Sequence, residues 1–279
     1  MNPPPSFIQE FAPAKLNLSL AVVGKRADGY HLLESLVAFA DIGDRLTAEA
    51  APSFALNIDG PFAASLEAGA DNLVARAAHL FAERLGRRAD VALRLTKNLP
   101  VASGIGGGSA DAAATLRALS KLWAAPIPAD LPAKLGADVK VCVAGVPAWM
   151  SGIGEIVEPA GALPGWGVVL VNPGIALATP SVFKARSGAF SVGGKFAPNL
   201  SNLAAAGNDL EAPAIALVPA IADVLAALRG LPDVRLARMS GSGATCFGLF
   251  DRPESAALAA KALKAQAPSA WWIAAGRVA

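Results

Sequence analysis

Hydrophobic and polar positions alternate cleanly from Ala14 to Val22, with Ala14, Leu16, Leu18, Leu20 and Val22 on one side and Lys15, Asn17 and Ser19 on the other. That is the period of a strand with one apolar face, and it predicts a half-buried strand whose solvated side carries Lys15 and Asn17 together. Leu32 to Ala40 and Leu46 to Ile58 read as further strands. From Asp71 to Leu85 the period becomes helical: Leu73, Ala77, Leu80 and Phe81 form the buried stripe, His79 a boundary position, and Gly86 the stop. Val91, Leu93 and Leu95 alternate with Ala92, Arg94 and Thr96, a strand that leads toward Pro100. A helix follows the glycines beyond it, with Ala112, Leu116, Leu119 and Trp123 on one face, Asp111, Thr115, Arg117 and Lys121 away from it, and Ser109 as the expected N-cap. Past a Pro-rich connection from Pro126 to Pro132, Gly136 closes a helical turn and Asp138 opens the next element, and Ser151 to Glu155 reads as a tight turn.

The second half changes pattern. Val168 to Val171 is a buried strand, Thr179 to Arg186 a short helix, Ser187 to Leu200 a Gly-rich connection, and Ile215 to Leu228 a helix stopped by Gly230. A strand at Val234 to Arg238, the glycine turn Ser240-Gly241-Ser242-Gly243, a strand at Thr245 to Phe250, a helix from Pro253 to Ala265 and a strand at Trp271 to Ala275 complete it. Strand, helix, strand, strand, helix, strand is the split βαβ order, so an α+β chain with a ferredoxin-like second domain is expected.

Composition narrows the chemistry. A chain of 279 residues is long enough for two domains or one large one. The net charge of +2, from 24 basic and 22 acidic residues, gives no broad field for nucleic acid or an anionic membrane, so any anion site is local. Cys142 and Cys246 are too few for a metal cluster and do not suggest a disulfide framework, which fits a reducing cytoplasmic setting. The chain begins with Pro3, Pro4 and Pro5 and no basic segment before an apolar run, so no secretory signal is expected. The mean hydropathy of +0.45 is high, but glycines and prolines interrupt the uncharged stretch from Ala160 to Pro180, and no membrane span is expected.

The candidate chemistry begins at Gly104-Ile105-Gly106-Gly107-Gly108-Ser109, between a strand and a helix. Glycines let successive N–H groups curl around an anion, and a helix start adds donors and a positive dipole end, which suits a phosphate; a tight structural turn is the alternative. A Walker loop requires Lys and then Ser or Thr after its last Gly, whereas Ser109 and Ala110 stand there. A dinucleotide fingerprint requires Gly or Ala where Ser109 stands. Tyr30, the single tyrosine, and His31 follow the turn Asp28-Gly29 and read either as a structural pair or as a ligand contact. Asp138 reads locally as an acidic turn or cap residue.

Three separated stretches, Pro13-Ala14-Lys15-Leu16-Asn17-Leu18, Pro100 to Ala110, and Ser240-Gly241-Ser242-Gly243-Ala244, together resemble the GHMP small-molecule kinase superfamily. The resemblance implies a two-domain GHMP kinase fold: residues 1–160 as a ribosomal-S5-domain-2-like ATP-binding domain and residues 161–279 as the ferredoxin-like domain. It implies ATP and Mg2+ as cofactors, a small-molecule acceptor, and no nucleic acid or membrane partner. Finer likeness in Arg26-Ala27-Asp28-Gly29-Tyr30-His31, in Leu135-Gly136-Ala137-Asp138-Val139 and in Asn172-Pro173-Gly174 leading to Thr179-Pro180 and Phe183 implies an acceptor. This is the 2-hydroxyl of 4-diphosphocytidyl-2-C-methyl-D-erythritol, in non-mevalonate isoprenoid synthesis. By the same resemblance Lys15 and Asp138 are the catalytic pair. Pro100, Val101, Ala102, Ser103, Gly104, Ile105, Gly106, Gly107, Gly108, Ser109 and Ala110 hold the nucleotide. Tyr30 and Phe183 sandwich the cytosine, His31 hydrogen-bonds it, and Asn17 and Thr179 lie along the substrate. Lys140 stands where this family usually has proline.

Overall fold

Most apolar runs form the elements their period predicts. The computed structural model describes residues 7–278, so Pro3, Pro4 and Pro5 lie outside the described residues. In chain order the elements are β1 (Ile8–Asn17), β2 (Ala21–Lys25), β3 (His31–Ala50), β4 (Ala55–Asp59), α1 (Leu73–Arg84), β5 (Val91–Thr96), α2 (Gly107–Leu122), α3 (Leu131–Leu135), α4 (Val139–Ala144), β6 (Ala148–Gly152) and β7 (Ile156–Pro159). They continue with β8 (Gly167–Asn172), α5 (Thr179–Ala185), α6 (Leu200–Ala205), α7 (Glu211–Leu217), α8 (Ala220–Arg229), β9 (Leu236–Met239), β10 (Cys246–Phe250), α9 (Pro253–Lys264) and β11 (Trp272–Arg277).

Three expectations are corrected. The run from Ala14 to Val22 is two strands, broken between Asn17 and Ala21. The segments from Leu32 and from Leu46 are joined in β3, which stays extended through Gly43 because that residue has no Cβ to collide with the Ala12 carbonyl. The helix expected from Ile215 to Leu228 is interrupted at Pro219, which has no N–H to donate and drives the preceding Val218 out of the helical region, to φ −135° and ψ 86°.

The chain divides into two compact units, each assembled from separate segments. The first takes the chain as far as Ala14, Gly43–Val101 and Gly106–Gly145. In it β5 pairs antiparallel with the end of β3, from Arg45 opposite Thr96 to Ala50 opposite Val91, and parallel with β4, so β4, α1 and β5 form a βαβ crossover. Helix α2 packs against α1 and α4, with the Phe81 and Trp123 rings 5.5 Å apart.

The second unit comprises Lys15–Ile42, Ala102–Ile105 and Val146 onward. Here β2, the start of β3, β6 and β7 form antiparallel pairs, with Lys25 opposite His31, Leu36 opposite Trp149 and Trp149 opposite Glu158. A separate antiparallel sheet has the order β11-β8-β10-β9, which with the helices between its strands is the expected ferredoxin-like arrangement. All six residues of β8 are buried, because Val169 and Val171 join Ile221, Leu225, Leu228, Phe250 and Leu263 in one core. Among the described residues no helix is long and apolar enough to cross a membrane.

Candidate active site

The polar side of β1 is not solvated. Lys15 and Asn17 are each only 4% exposed and Ser19 5%, so the expected half-buried strand is buried on both faces where it leaves Ala14. Buried polar groups need partners, and these come from the other two recognisable stretches. The Lys15 N–H donates to the Ile105 carbonyl at 2.9 Å. The Asn17 N–H donates to Ser240 Oγ at 3.1 Å, the Ser240 hydroxyl donates to the Gly104 carbonyl at 3.0 Å, and the Thr245 N–H donates to the Ser103 carbonyl at 3.1 Å. Asn17 Nδ2 donates to Ser35 Oγ at 2.7 Å, and that hydroxyl donates to the Ser19 carbonyl. Gly104 has φ +75°, and a Cβ there would lie 2.5 Å from the Ser240 carbonyl oxygen. Parts of the three stretches thus meet within one unit, and backbone contact is why residue 104 is glycine.

Asn208 and Asp209 escaped the reading of the sequence. Asn208 Nδ2 donates to the carbonyls of Met239 and Gly241, and Asp209 accepts from the Val22 N–H and the Ser191 hydroxyl. An Asn-Asp pair in a loop carries no periodic signal to mark it.

Beyond Ile105 the chain enters the other unit and α2 begins earlier than expected. Its N-cap is Gly106, in the left-handed region at φ +65°, and no side chain caps it, so Ser109 is inside the helix rather than at its cap. Helix geometry leaves the N–H groups of Gly107, Gly108 and Ser109 without acceptors in the helix itself, and no side-chain cap hydrogen bond is made at its N-cap. A positive dipole end with uncapped donors is a receptor for an anionic oxygen.

Asp111 and Thr115 are also misplaced by simple periodicity, being buried instead of facing away from the core. The signal was present: with Ala110, Ala112, Ala113, Ala114, Leu116, Ala118 and Leu119, this part of α2 is apolar nearly all round, and such a helix is buried on all sides. Asp111 shares Lys97 with Asp44. Lys97 Nζ lies 2.6 Å from Asp111 Oδ2 and 2.5 Å from Asp44 Oδ2, with Lys97 and Asp111 2% exposed and Asp44 fully buried. Asp44 Oδ1 also accepts the N–H groups of Asn98 and Leu99, whereas Asp111 Oδ1 has no hydrogen-bond partner among the described residues. Burial pushes the Asp111 carboxyl up to about 7, against the pull of Lys97 and with a further push from Asp44. Burial also works against the Lys97 ammonium, but the two carboxylates outweigh it and hold Lys97 above the ordinary lysine value.

Asp138 occupies the N-cap position of α4, yet its side chain makes no capping hydrogen bond, so the simple role of an acidic cap is not the one observed. Lys140 lies exposed in the first turn of that helix. Tyr30 stands 62% exposed at the tip of the β2–β3 hairpin, beside the Arg26–Asp28 ion pair and Gly29. His31 opens β3 and stacks on Phe183 of α5, with ring centroids 5.0 Å apart and planes 21° from parallel. Thr179 begins α5 and its hydroxyl lies 2.7 Å from that of Ser242. Burial, then Lys25 and Arg186, hold the His31 imidazole below its ordinary 6.5, so it is neutral at pH 7 with one ring nitrogen a donor and the other an acceptor. An NMR titration of His31 is expected to give a midpoint below 6.5. A midpoint at or above it would show that these two cations do not act on the ring.

Comparison with known proteins identifies the family. The family model for the GHMP kinases N terminal domain matches residues 72–154, and that for GHMP kinases C terminal matches residues 193–269. A 4-diphosphocytidyl-2-C-methyl-D-erythritol kinase of Paramagnetospirillum magneticum is 52% identical over 274 residues, covering 94% of this chain and 95% of its own. The protein of the same description from Ruegeria pomeroyi is 53% identical over 283 residues, covering 97% and 99%. A crystal structure of 4-(cytidine 5'-diphospho)-2C-methyl-D-erythritol kinase superposes with a TM-score of 0.83 at 38% identity, over 97% of this chain and 99% of that one.

Proposed function

The chain belongs to the GHMP kinase family, and on that premise we propose that it transfers the terminal phosphoryl group of ATP to the 2-hydroxyl of 4-diphosphocytidyl-2-C-methyl-D-erythritol. The products are ADP and the 2-phosphate, an intermediate of non-mevalonate isoprenoid synthesis. The observation that carries this reading is identity of about half the residues along nearly the whole of both chains with kinases of that description. The residues Pro100 to Ala110 hold ATP in this reading, the N–H groups at the start of α2 receiving its phosphates.

Phosphoryl transfer asks a protein mainly to position the nucleophile and to neutralise charge spreading over the transferred group. Asp138 takes or orients the proton of the acceptor hydroxyl, the role the family resemblance gives to an aspartate at this place. Lys15 supplies positive charge to the reacting groups. No group of three or more His, Cys, Asp or Glu placed to hold a metal ion occurs among the described residues. A bound Mg2+ would keep waters and take phosphate oxygens and so needs no protein cage. When bound, the ion neutralises phosphate charge. Tyr30 and Phe183 stack on the cytosine, the neutral His31 matches a donor and an acceptor to its edge, and Asn17 and Thr179 lie along the substrate. The evolutionary division at residues 1–160 and 161–279 is supported by the two family models falling on either side of it. A cytoplasmic location accords with the two cysteines being free and buried.

Coupled ADP production over a panel of alcohols tests the reading. ADP release is expected with ATP, magnesium and the diphosphocytidyl alcohol, and not with mevalonate or homoserine. Preference for one of the latter makes this another GHMP kinase; folded protein that binds ATP without releasing ADP is an inactive relative.

A further inference from the structure

None of the roles above uses the three buried charges beneath the start of α2. Their placement is specific. A Cβ added to Gly107 would lie 3.1 Å from Lys97 Nζ, so the ammonium sits directly against the backbone of the turn proposed to receive phosphate. We infer that Lys97, locked by Asp44 and Asp111, is a positioning residue for the phosphate-binding turn, and that the protonation state of the Asp111 carboxyl sets how strongly that turn accepts ATP. This rests on the reading of that turn as the phosphate site.

The two carboxyls are not equivalent. Asp44 is satisfied by Lys97 and by the N–H groups of Asn98 and Leu99. Asp111 is ion-paired with Lys97, and among the described residues its second oxygen is buried without a hydrogen-bond partner. With both ionised, the cluster carries one net negative charge against the turn, which opposes an incoming phosphate. With Asp111 protonated, the cluster is neutral and the helix dipole is unopposed. Phosphate and the proton on Asp111 therefore favour one another, and each must raise the affinity for the other by the same factor.

Among the described residues, two charged groups act on Asp111, Asp44 from β3 and Lys97 from the segment after β5. Helix α1 turns Val74, Ala77, Ala78 and Phe81 inward and keeps Arg76, His79, Glu83 and Arg84 at the exposed surface. Helix α4 buries Val139, Val141 and Cys142 and keeps Lys140 exposed, while α3 buries Leu131, Pro132 and Leu135 and keeps Lys134 exposed. On α2 itself Arg117 is paired with Glu10. A carboxyl pushed up to about 7 changes state within the working range of the protein.

The experiment is a calorimetric measurement of ATP affinity, with magnesium, for the wild type and Asp111→Asn from pH 6 to pH 8.5. The ratio of the two dissociation constants cancels the ionisation of ATP itself. The wild type is expected to lose affinity relative to the asparagine variant by about fivefold or more across that range, the low end of ordinary coupling between sites. A merely structural Asp111 would alter melting temperature and leave that ratio flat. ATP bound with a flat ratio overturns the proposal and leaves the kinase reading standing; failure of the folded wild type to bind ATP at any pH overturns both.

Discussion

Asp138→Asn is expected to lower turnover by about 100-fold or more while leaving ATP affinity within about twofold, because positioned proton transfer contributes factors of that order and nucleotide binding does not draw on it. Asparagine has the shape of the carboxylate and can still accept a hydrogen bond from the acceptor hydroxyl, but it cannot take its proton. The usual confounder is absent: an aspartate at a helix start often stabilises the fold as a cap, and here the side chain makes no such hydrogen bond to α4. A loss of rate in this variant therefore does not come from uncapping α4. Single-turnover kinetics with saturating ATP and substrate read the chemical step, and urea denaturation reads the fold. Parallel losses of ATP binding, stability and rate would make Asp138 a structural residue and move the search for the proton acceptor elsewhere.

What was legible in the sequence follows from what a periodic pattern records. Elements with one covered face were found almost to the residue: α1, β5 and α9 each carry an apolar stripe and a polar side, and their ends are marked by Gly86, by Pro100 beyond β5 and by Pro253. The ferredoxin-like half was legible from element order, which needs no knowledge of side-chain partners. Periodicity failed where a polar residue is covered. Lys15, Asn17 and Asp111 occupy positions that alternate or rotate away from the apolar set, and a local pattern cannot see that a segment more than 200 residues away supplies the Ser240 hydroxyl to Asn17. Likewise the start of α2 was misjudged because Ser109 is a good cap by residue type, whereas the left-handed Gly106 begins the helix with no side-chain cap. At Lys15, Asn17 and Ser109 the failures fall on residues that the proposed function assigns to catalysis, substrate and phosphate, where tertiary partners override local preference.

Lys97→Met is expected to show the largest loss of stability of any substitution considered. Removing the cation leaves Asp44 and Asp111 facing one another, 0% and 2% exposed, with no compensating charge, and breaking a buried pair in this way costs about 3–5 kcal/mol. Methionine keeps much of the volume, so the loss is electrostatic rather than a cavity effect. Its pH dependence is the distinguishing mark. In the wild type, Asp111 already sits above its unfolded value of 3.8, at about 7, so its stabilising contribution is full below pH 3.8 and fades as pH rises through 7. The raised Lys97 contributes with the same sign but at higher pH: its share is full below 10.5 and is lost only as pH rises above that value. Without Lys97 the two buried carboxyls are driven to take up protons, and the deficit of the variant is smallest near pH 4 and largest near pH 8. Urea denaturation at the two pH values measures it, and a deficit of the same size at both would mean that packing, not charge, dominates. Adding Asp111→Asn to Lys97→Met removes one of the two uncompensated charges and is expected to recover part of the loss at pH 8. That positive coupling would mark the three residues as one electrostatic unit, since independent sites would simply add.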